Sequence, residues 1–330
     1  MPRVLYLVQE YPQISQTYIH VEVERVKRRY DVSIAATKHA DLAYERHLPY
    51  EILKEITPAS LTDLVRRHRP DIIHGPYLHL TPVLRFLAHA ARTYYTVRTH
   101  SYDVLTTHTL RRKEVIEAVN DPVCRGVLCF PFVVDTLIEA GVPADKLVPC
   151  WPVADIEKFR DRGPNSPGVM NVGATLPKKG MKIFADIAKA MPEIKFDLYA
   201  MGYLAPEVES YALSIGSPMH VMPALQPEDM PPEYKKHQWL VYTASKKVGT
   251  VGWPLAAAEA MASGVGVLIQ NIRPDLKEYV GPAGYLFDTV EDVQRIITRP
   301  FPEEKREAGF IHAEKSNIDN HIGLLFDLWK

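Results

Sequence analysis

Short apolar runs recur along this chain, separated by segments in which apolar positions return every three or four residues. In the first half the runs at 4–8, 31–36, 71–74, 94–97, 126–129 and 146–148 are rich in Val, Ile, Leu and Tyr and predict strands. Between them, 17–29, 61–68, 82–91, 110–119 and 133–140 carry the periodicity of amphipathic helices. Strand alternating with helix predicts a parallel sheet covered on both faces. The stretch 160–168, Arg-Asp-Arg-Gly-Pro-Asn-Ser-Pro-Gly, has no period and reads as a linker. The alternation then restarts, with strands at 169–172, 194–199, 220–222, 240–242 and 265–269 and helices at 181–190, 205–215, 227–236 and 254–263. The tail 318–330, with Ile318, Ile322, Leu324, Leu325 and Leu328, predicts a packing helix, with a return onto the first domain left open. The expected architecture is α/β: two doubly wound, Rossmann-like domains facing each other across a cleft. They span 1–160 and 161–310, and 311–330 forms the C-terminal helix. In such sheets ligands sit beyond the carboxyl ends of the strands.

Composition narrows the picture in three ways. A length of 330 residues suits two domains of about 150 each. A formal charge of −1 gives no bulk attraction to nucleic acid or to an anionic membrane. Cys124, Cys129 and Cys150 are odd in number and lack C-x-x-C spacing, which fits a reducing compartment and neither a disulfide framework nor a zinc site. The N-terminal apolar run is short and no 18-residue apolar stretch follows, so a soluble cytoplasmic protein is expected, with peripheral contact to the inner face of the membrane left open.

One segment carries candidate chemistry. In GTVGWPLAAAEAMASGVGV (249–267) a single acid, Glu259, sits among small apolar residues. Pro254 suits the first position of a helix, and Gly252 before it permits close approach of the backbone. Free N–H groups at a helix start attract a diphosphate. Glu259 would then lie on the order of 7 Å further along the axis, a span that suits a carboxylate accepting from a ribose diol. The competing reading pairs Glu259 with a lysine at the domain edge.

GWPLAAAEAMASG (252–264) resembles the signature of the retaining nucleotide-sugar glycosyltransferases of the GT-B fold, the glycogen-synthase-like family four, also described as glycosyl transferases group 1. The stretches 11–27, 71–75, 98–103 (RTHSYD), 153–159 and 172–180 (VGATLPKKG) resemble further family motifs in the expected order, over roughly residues 1–290. The resemblance implies a donor site of Gly173, Lys179, Gly252, Trp253, Pro254, Leu255 and Glu259, with His100 and Lys179 as the catalytic pair. Lys179 would stabilise the leaving diphosphate, Glu259 would hold the ribose, and His100 would approach the sugar hydroxyls. Two positions depart from the family pattern. Its first signature Glu falls on Val251, and an Arg that neutralises the diphosphate falls on Ala174. Lys246 and Lys247 are candidates to replace that cation, and Asp103 and Ser15 are further candidate sugar or phosphate contacts. Each of these four also fits a plain role: a solvated loop for the lysines, a cap or turn for Asp103 and Ser15. His74 and His79 read as structural or acceptor-side, and Glu22 and Glu24 as the exposed face of the first helix.

The function implied is transfer of a hexose from a nucleotide diphosphate sugar to a hydroxyl acceptor, with retention at the anomeric carbon, in glycan or glycoconjugate biosynthesis. Donor and acceptor are the partners, with no further cofactor and no metal, and donor base, sugar, acceptor and oligomeric state are open. A dehydrogenase would need G-x-G-x-x-G between strand and helix, which is absent after both 4–8 and 169–172. A sugar-nucleotide epimerase shares the two-domain plan but is a weaker relation. The remaining alternative is a catalytically degenerate relative that binds nucleotide sugar as a partner subunit, motivated by Val251 and Ala174.

Overall fold

The computed structural model describes the backbone of all 330 residues and every side chain except that of Thr107. The chain divides into two units, Met1–Val153 with Ile318–Lys330, and Ala154–Asn317.

Unit 1 is a sheet of seven parallel strands: β1 (Arg3–Tyr11), β2 (Asp31–His39), β3 (Glu51–Ile52), β4 (Ile72–Gly75), β5 (Tyr95–Arg98), β6 (Cys124–Cys129) and β7 (Leu147–Pro149). Their order is 3-2-1-4-5-6-7. β1 is paired on both edges and buried from Val4 to Val8, which accounts for its unbroken apolar run. The order reverses between β1 and β4, so the loops leaving these two strands diverge and open a crevice at their carboxyl ends. Two features differ from the sequence reading. β3 is a two-residue edge strand, too short to leave a pattern. The helix expected at 110–119 is two helices, Thr107–Leu110 and Lys113–Asn120, broken where Arg112 turns extended.

The helix Ile318–Leu328 belongs to unit 1. Phe326 and Trp329 pack on Tyr30, and the Trp329 indole N–H donates to Thr96 Oγ1 at 2.8 Å. Leu328 fills the space over Gly126, where any Cβ would meet its methyl groups at 2.7 Å.

Unit 2 repeats the plan with six parallel strands: β8 (Val169–Ala174), β9 (Phe196–Met201), β10 (His220–Met222), β11 (Trp239–Tyr242), β12 (Gly266–Gln270) and β13 (Gly284–Phe287). Their order is 10-9-8-11-12-13, with the reversal between β8 and β11. β13 and the helix Glu303–Ala313 had no counterpart in the pattern reading. The strand is only four residues long, and the helix sets Gly309 against Met261 rather than presenting a wide apolar stripe. The stretch 160–168 lies within unit 2. The Lys235 ammonium takes the carbonyls of Gly163 (2.6 Å) and Ser263 (3.1 Å), and Arg306 takes those of Arg162 (2.8 Å) and Gly163 (2.6 Å). Two cations thus fasten a segment whose composition alone suggests mobility. Among the described residues no helix is long and apolar enough to cross a membrane.

Candidate functional site

The two loops beside the unit 2 strand reversal are joined to each other. Near the end of β8, Gly173 has φ +141°, and a Cβ there would fall on the Lys179 ammonium. Glycine therefore lets the lysine fold back over the strand end. Pro177–Lys179 forms one tight turn, and Gly180, at φ +55°, starts the helix Met181–Lys189 while packing on the backbone of Ala244 and Ser245. The Ser245 N–H donates to the Lys178 carbonyl at 2.8 Å, and the Thr243 hydroxyl to the Lys179 carbonyl at 2.9 Å. Lys179 is half-buried, its ammonium 5.5 Å from the centre of the Tyr242 ring, with no ion pair among the described residues. Burial pushes it down to about 8. A desolvated cation without a counter-charge is a standing attraction for an anion.

The loop after β11 is held from behind by the loop after β12. Arg273 pairs with Asp275 (Nε–Oδ1 2.8 Å, Nη2–Oδ2 2.9 Å) and donates to the carbonyls of Gly249 (3.1 Å) and Val251. The Trp253 indole donates to Asp275 at 2.8 Å and stacks on Tyr279 at 4.9 Å, and the Tyr279 hydroxyl donates to the Pro254 carbonyl at 2.6 Å. Trp253 is 3% exposed, so its ring serves the interior, as does the buried Val251 side chain. Pro254 is not the first helical residue: at φ −76°, ψ 125° it is extended, and the Tyr279 bond holds it so. The helix runs Leu255–Ala262. No side chain caps it, and Ala257 N–H is the first to bond back, to the Pro254 carbonyl at 3.0 Å. The N–H groups of Leu255 and Ala256 are left for a ligand.

Among the described residues Glu259 has no lysine partner. The Tyr234 hydroxyl, from the helix Met230–Lys235, donates to Oε2 at 2.7 Å, and Oε1 accepts nothing among the described residues. Lys158, the cation acting on it, is itself paired with Glu228 at 2.9 Å. Burial raises the carboxyl above its usual range, and the Tyr234 bond works against that rise. Tyr234→Phe is expected to drive the Glu259 carboxyl further upward and to cost about 1 kcal/mol of stability. Carboxyl-carbon NMR titration and thermal denaturation read the two effects. Of the candidate replacement cations, Lys246 is occupied by Asp288 at 2.6 Å, and Lys247 is exposed with no ion pair. Asp288 thus draws Lys246 away from a phosphate role.

In unit 1, Asp103 is fully buried and its carboxylate accepts the N–H groups of His100 (2.7 Å) and Leu78, a structural role that ties the loops after β4 and β5. His100 precedes the short helix Ser101–Leu105. Its ring packs on Tyr18 (4.0 Å) and Tyr77 (5.1 Å), and its Nε2 is buried without a partner. Burial, with Arg98 nearby, holds this imidazole well below its usual range, hence neutral. Neither Ser15 nor Thr17 caps the first helix; Gln16 takes the N-cap position and its side chain makes no cap bond. Glu22 corrects the exposed-face expectation. It is 2% exposed, accepts from Arg98 (Nε–Oε2 2.8 Å) and Tyr6 (3.1 Å), and lies 3.2 Å from His74 Nε2. Tyr234, Arg273, Asp275 and Tyr279 had no signal in the spacing. Each acts across 20 to 25 residues of sequence through loops that only the fold brings together.

Residues 166–299 match the family model of glycosyl transferases group 1. That span contains both loops of the unit 2 site. A comparison of the sequence with curated proteins returned no match. Among solved structures, HepE of Anabaena in complex with UDP and glucose is similar at 15% identity and a TM-score of 0.78, over 99% of each chain. A glycosyltransferase from Rickettsia africae is similar at 12% identity and TM-score 0.72, over 100% of this chain and 98% of that one. Sucrose-phosphate synthase from Thermosynechococcus elongatus is similar at 15% identity and TM-score 0.69, over 99% and 98%. Likeness over the full length at such identities establishes a common fold: two Rossmann-like units of the GT-B type.

Proposed function

We propose that this protein is a retaining glycosyltransferase that moves a hexose from a UDP-sugar to a hydroxyl acceptor in glycan or glycoconjugate synthesis. The observation that carries the reading is the unpaired Lys179 ammonium on the β8 loop, joined by hydrogen bonds to the β11 loop that leads to the uncapped helix start at Leu255. Those groups suit a diphosphate, and Glu259 Oε1, one turn along the same helix, suits a ribose hydroxyl. The choice of uridine draws on the UDP and UDP-glucose complexes of HepE. On departure the diphosphate gains negative charge, which Lys179 and the N–H groups of Leu255 and Ala256 would stabilise. The role of His100 as a neutral contact for the transferred sugar rests on the family resemblance of RTHSYD.

Calorimetry with UDP, followed by UDP release from UDP-glucose in the presence of acceptors, tests this. Micromolar UDP binding with turnover is the expected result. Binding with no turnover for any donor would favour the non-catalytic partner role instead, and absence of binding would end the reading. Glu259→Gln is expected to weaken UDP binding about 10-fold to 100-fold, the worth of a hydrogen bond to a charged group. Because the folded carboxyl is raised, its stabilising contribution is full below the unfolded value near 4.5 and is lost as pH climbs through the folded pKa. Nucleotide affinity should run the other way, falling in acid as the carboxylate protonates, and Glu259→Gln should flatten both profiles.

A further inference from the structure

A second charged cluster of unit 2 lies at the opposite end of its sheet from the donor loops. Asp197, the second residue of β9, is 1% exposed, and its register partner on β10 is His220. Its carboxylate receives three donors: Lys195 Nζ at 2.6 Å, His220 Nδ1 at 3.1 Å and His237 Nε2 at 2.9 Å. Burial by itself would raise this carboxyl, but the bonds from His237, Lys195 and His220 outweigh it and hold the group far below the carboxylate range. Lys195 and His220 are exposed, so water can replace either of them. His237 is fully buried. Its Nδ1 lies 2.8 Å from the Glu233 carbonyl, in the last turn of the helix Met230–Lys235. A carbonyl and an ionised carboxylate only accept, so each ring nitrogen carries a hydrogen when both bonds are made. The ring is thereby a bridge from β9 to the helix end.

A second tie runs beside the first. The Tyr199 hydroxyl, also on β9, donates to Glu233 Oε2 at 2.7 Å, and the Tyr199 ring meets the His237 ring edge to face at 5.8 Å. Lys236 closes on the other oxygen, Glu233 Oε1, at 2.7 Å. Gly168, at φ +145°, brings its chain against the His237 ring, where a Cβ would lie 3.3 Å from Cδ2. The helix is six residues long, too short to hold its place by its own hydrogen bonds. Its seat on β9 depends on these contacts instead. Between the tied positions 233 and 237 stands the fully buried Tyr234, whose hydroxyl donates to Glu259. A hydroxyl hydrogen bond is confined to a span of about 0.5 Å, so whatever fixes the helix also fixes the carboxylate.

We infer that His237 and Tyr199 are positioning residues of the donor site: by tying the helix Met230–Lys235 to β9 they set the Tyr234 hydroxyl against Glu259 and so aim Oε1 at the nucleotide ribose. The ribose step rests on the glycosyl-transfer reading; the orientation of Glu259 does not. Carboxyl-carbon NMR titration of Glu259 in the whole protein, without nucleotide, tests the orientation. His237→Gln, whose amide nitrogen cannot bridge both acceptors, and Tyr199→Phe, which removes one hydroxyl at nearly constant shape, should each move that titration upward, as a weaker Tyr234 bond requires. In a Tyr234→Phe background neither should move it further, since the hydroxyl through which they act is gone. Calorimetry with UDP and 2′,3′-dideoxy-UDP tests the ribose step. Each variant should weaken UDP about threefold to tenfold, the worth of one neutral hydrogen bond, and leave the dideoxy nucleotide unchanged. If His237→Gln does not fold, Tyr199→Phe carries both measurements, because Glu233 keeps its Lys236 partner. An unmoved Glu259 titration, a shift that persists in the Tyr234→Phe background, or affinities for the two nucleotides that change equally or not at all would overturn the inference. Should the parent bind UDP no better than its dideoxy analogue, the ribose role of Glu259 would fall, and the carboxyl titration would still decide whether the two residues position it.

Discussion

Lys179→Met is expected to lower turnover about 10²-fold to 10³-fold, the usual cost of removing one preorganised group from a developing anion. The expectation follows from where the lysine stands. It is folded over Gly173 by a backbone that glycine alone adopts without strain, and its loop is tied to the β11 loop through Ser245 and Thr243. It has no carboxylate partner among the described residues. Where the family pattern has a second cation, this chain has Ala174, and Lys246 is bound to Asp288, which leaves the exposed Lys247 as the other candidate cation. Stability should move in the opposite direction. An ammonium lowered to about 8 is held unfavourably when charged, so its linkage contribution is present above the unfolded value and is lost as pH falls through 8. At pH 7 the Met variant should melt no lower than the parent while binding UDP far more weakly. In the parent, UDP affinity should decline above pH 8 as the ammonium deprotonates. Calorimetry and thermal denaturation across pH 6–9 measure both. A variant that lost stability and affinity together would show that Lys179 holds the loop rather than the ligand.

The second large effect is structural. Glu22→Ala is expected to cost about 3–5 kcal/mol, the range for breaking a buried ion pair on one side. Arg98 would keep only the Cys150 sulfur, 3.1 Å from Nη1, and would remain buried and charged. Burial by itself would raise the Glu22 carboxyl, but Arg98, His74 and their hydrogen bonds outweigh it and hold the group far below the carboxylate range. A depressed folded pKa stabilises the protein above the unfolded value near 4.5, and that stabilisation is lost as pH falls. The parent should therefore lose more stability in acid than Glu22→Ala does. Denaturant titrations at pH 7 and pH 4 give both numbers, and equal losses at the two would exclude the ion pair as the cause.

How far the sequence reached is clearest at single residues. Glu259 was identifiable as the lone acid in a small-residue helix, and Lys179 by the resemblance of VGATLPKKG (172–180) to a family motif. Both are local signals, carried within about ten residues. Tyr234, which orients Glu259, and Arg273, Asp275 and Tyr279, which brace the helix start, leave no such trace. Glu22 was misread for a related reason. A carboxylate on an amphipathic helix signals solvent unless a buried arginine meets it, and Arg98 lies 76 positions away.

Hydrophobic periodicity by itself determined the alternating strands and helices, the parallel sheets and the positions of the loops that bear the chemistry, because burial on a repeating backbone imposes its period on the chain. What only the tertiary structure decided is the state of each candidate. Trp253 turned inward, Pro254 stayed extended, Lys246 found Asp288, and Asp103 closed on two backbone groups. Such outcomes depend on which distant partner completes a hydrogen bond or a charge pair in a buried place, and those partners are set by packing between segments that no local spacing records.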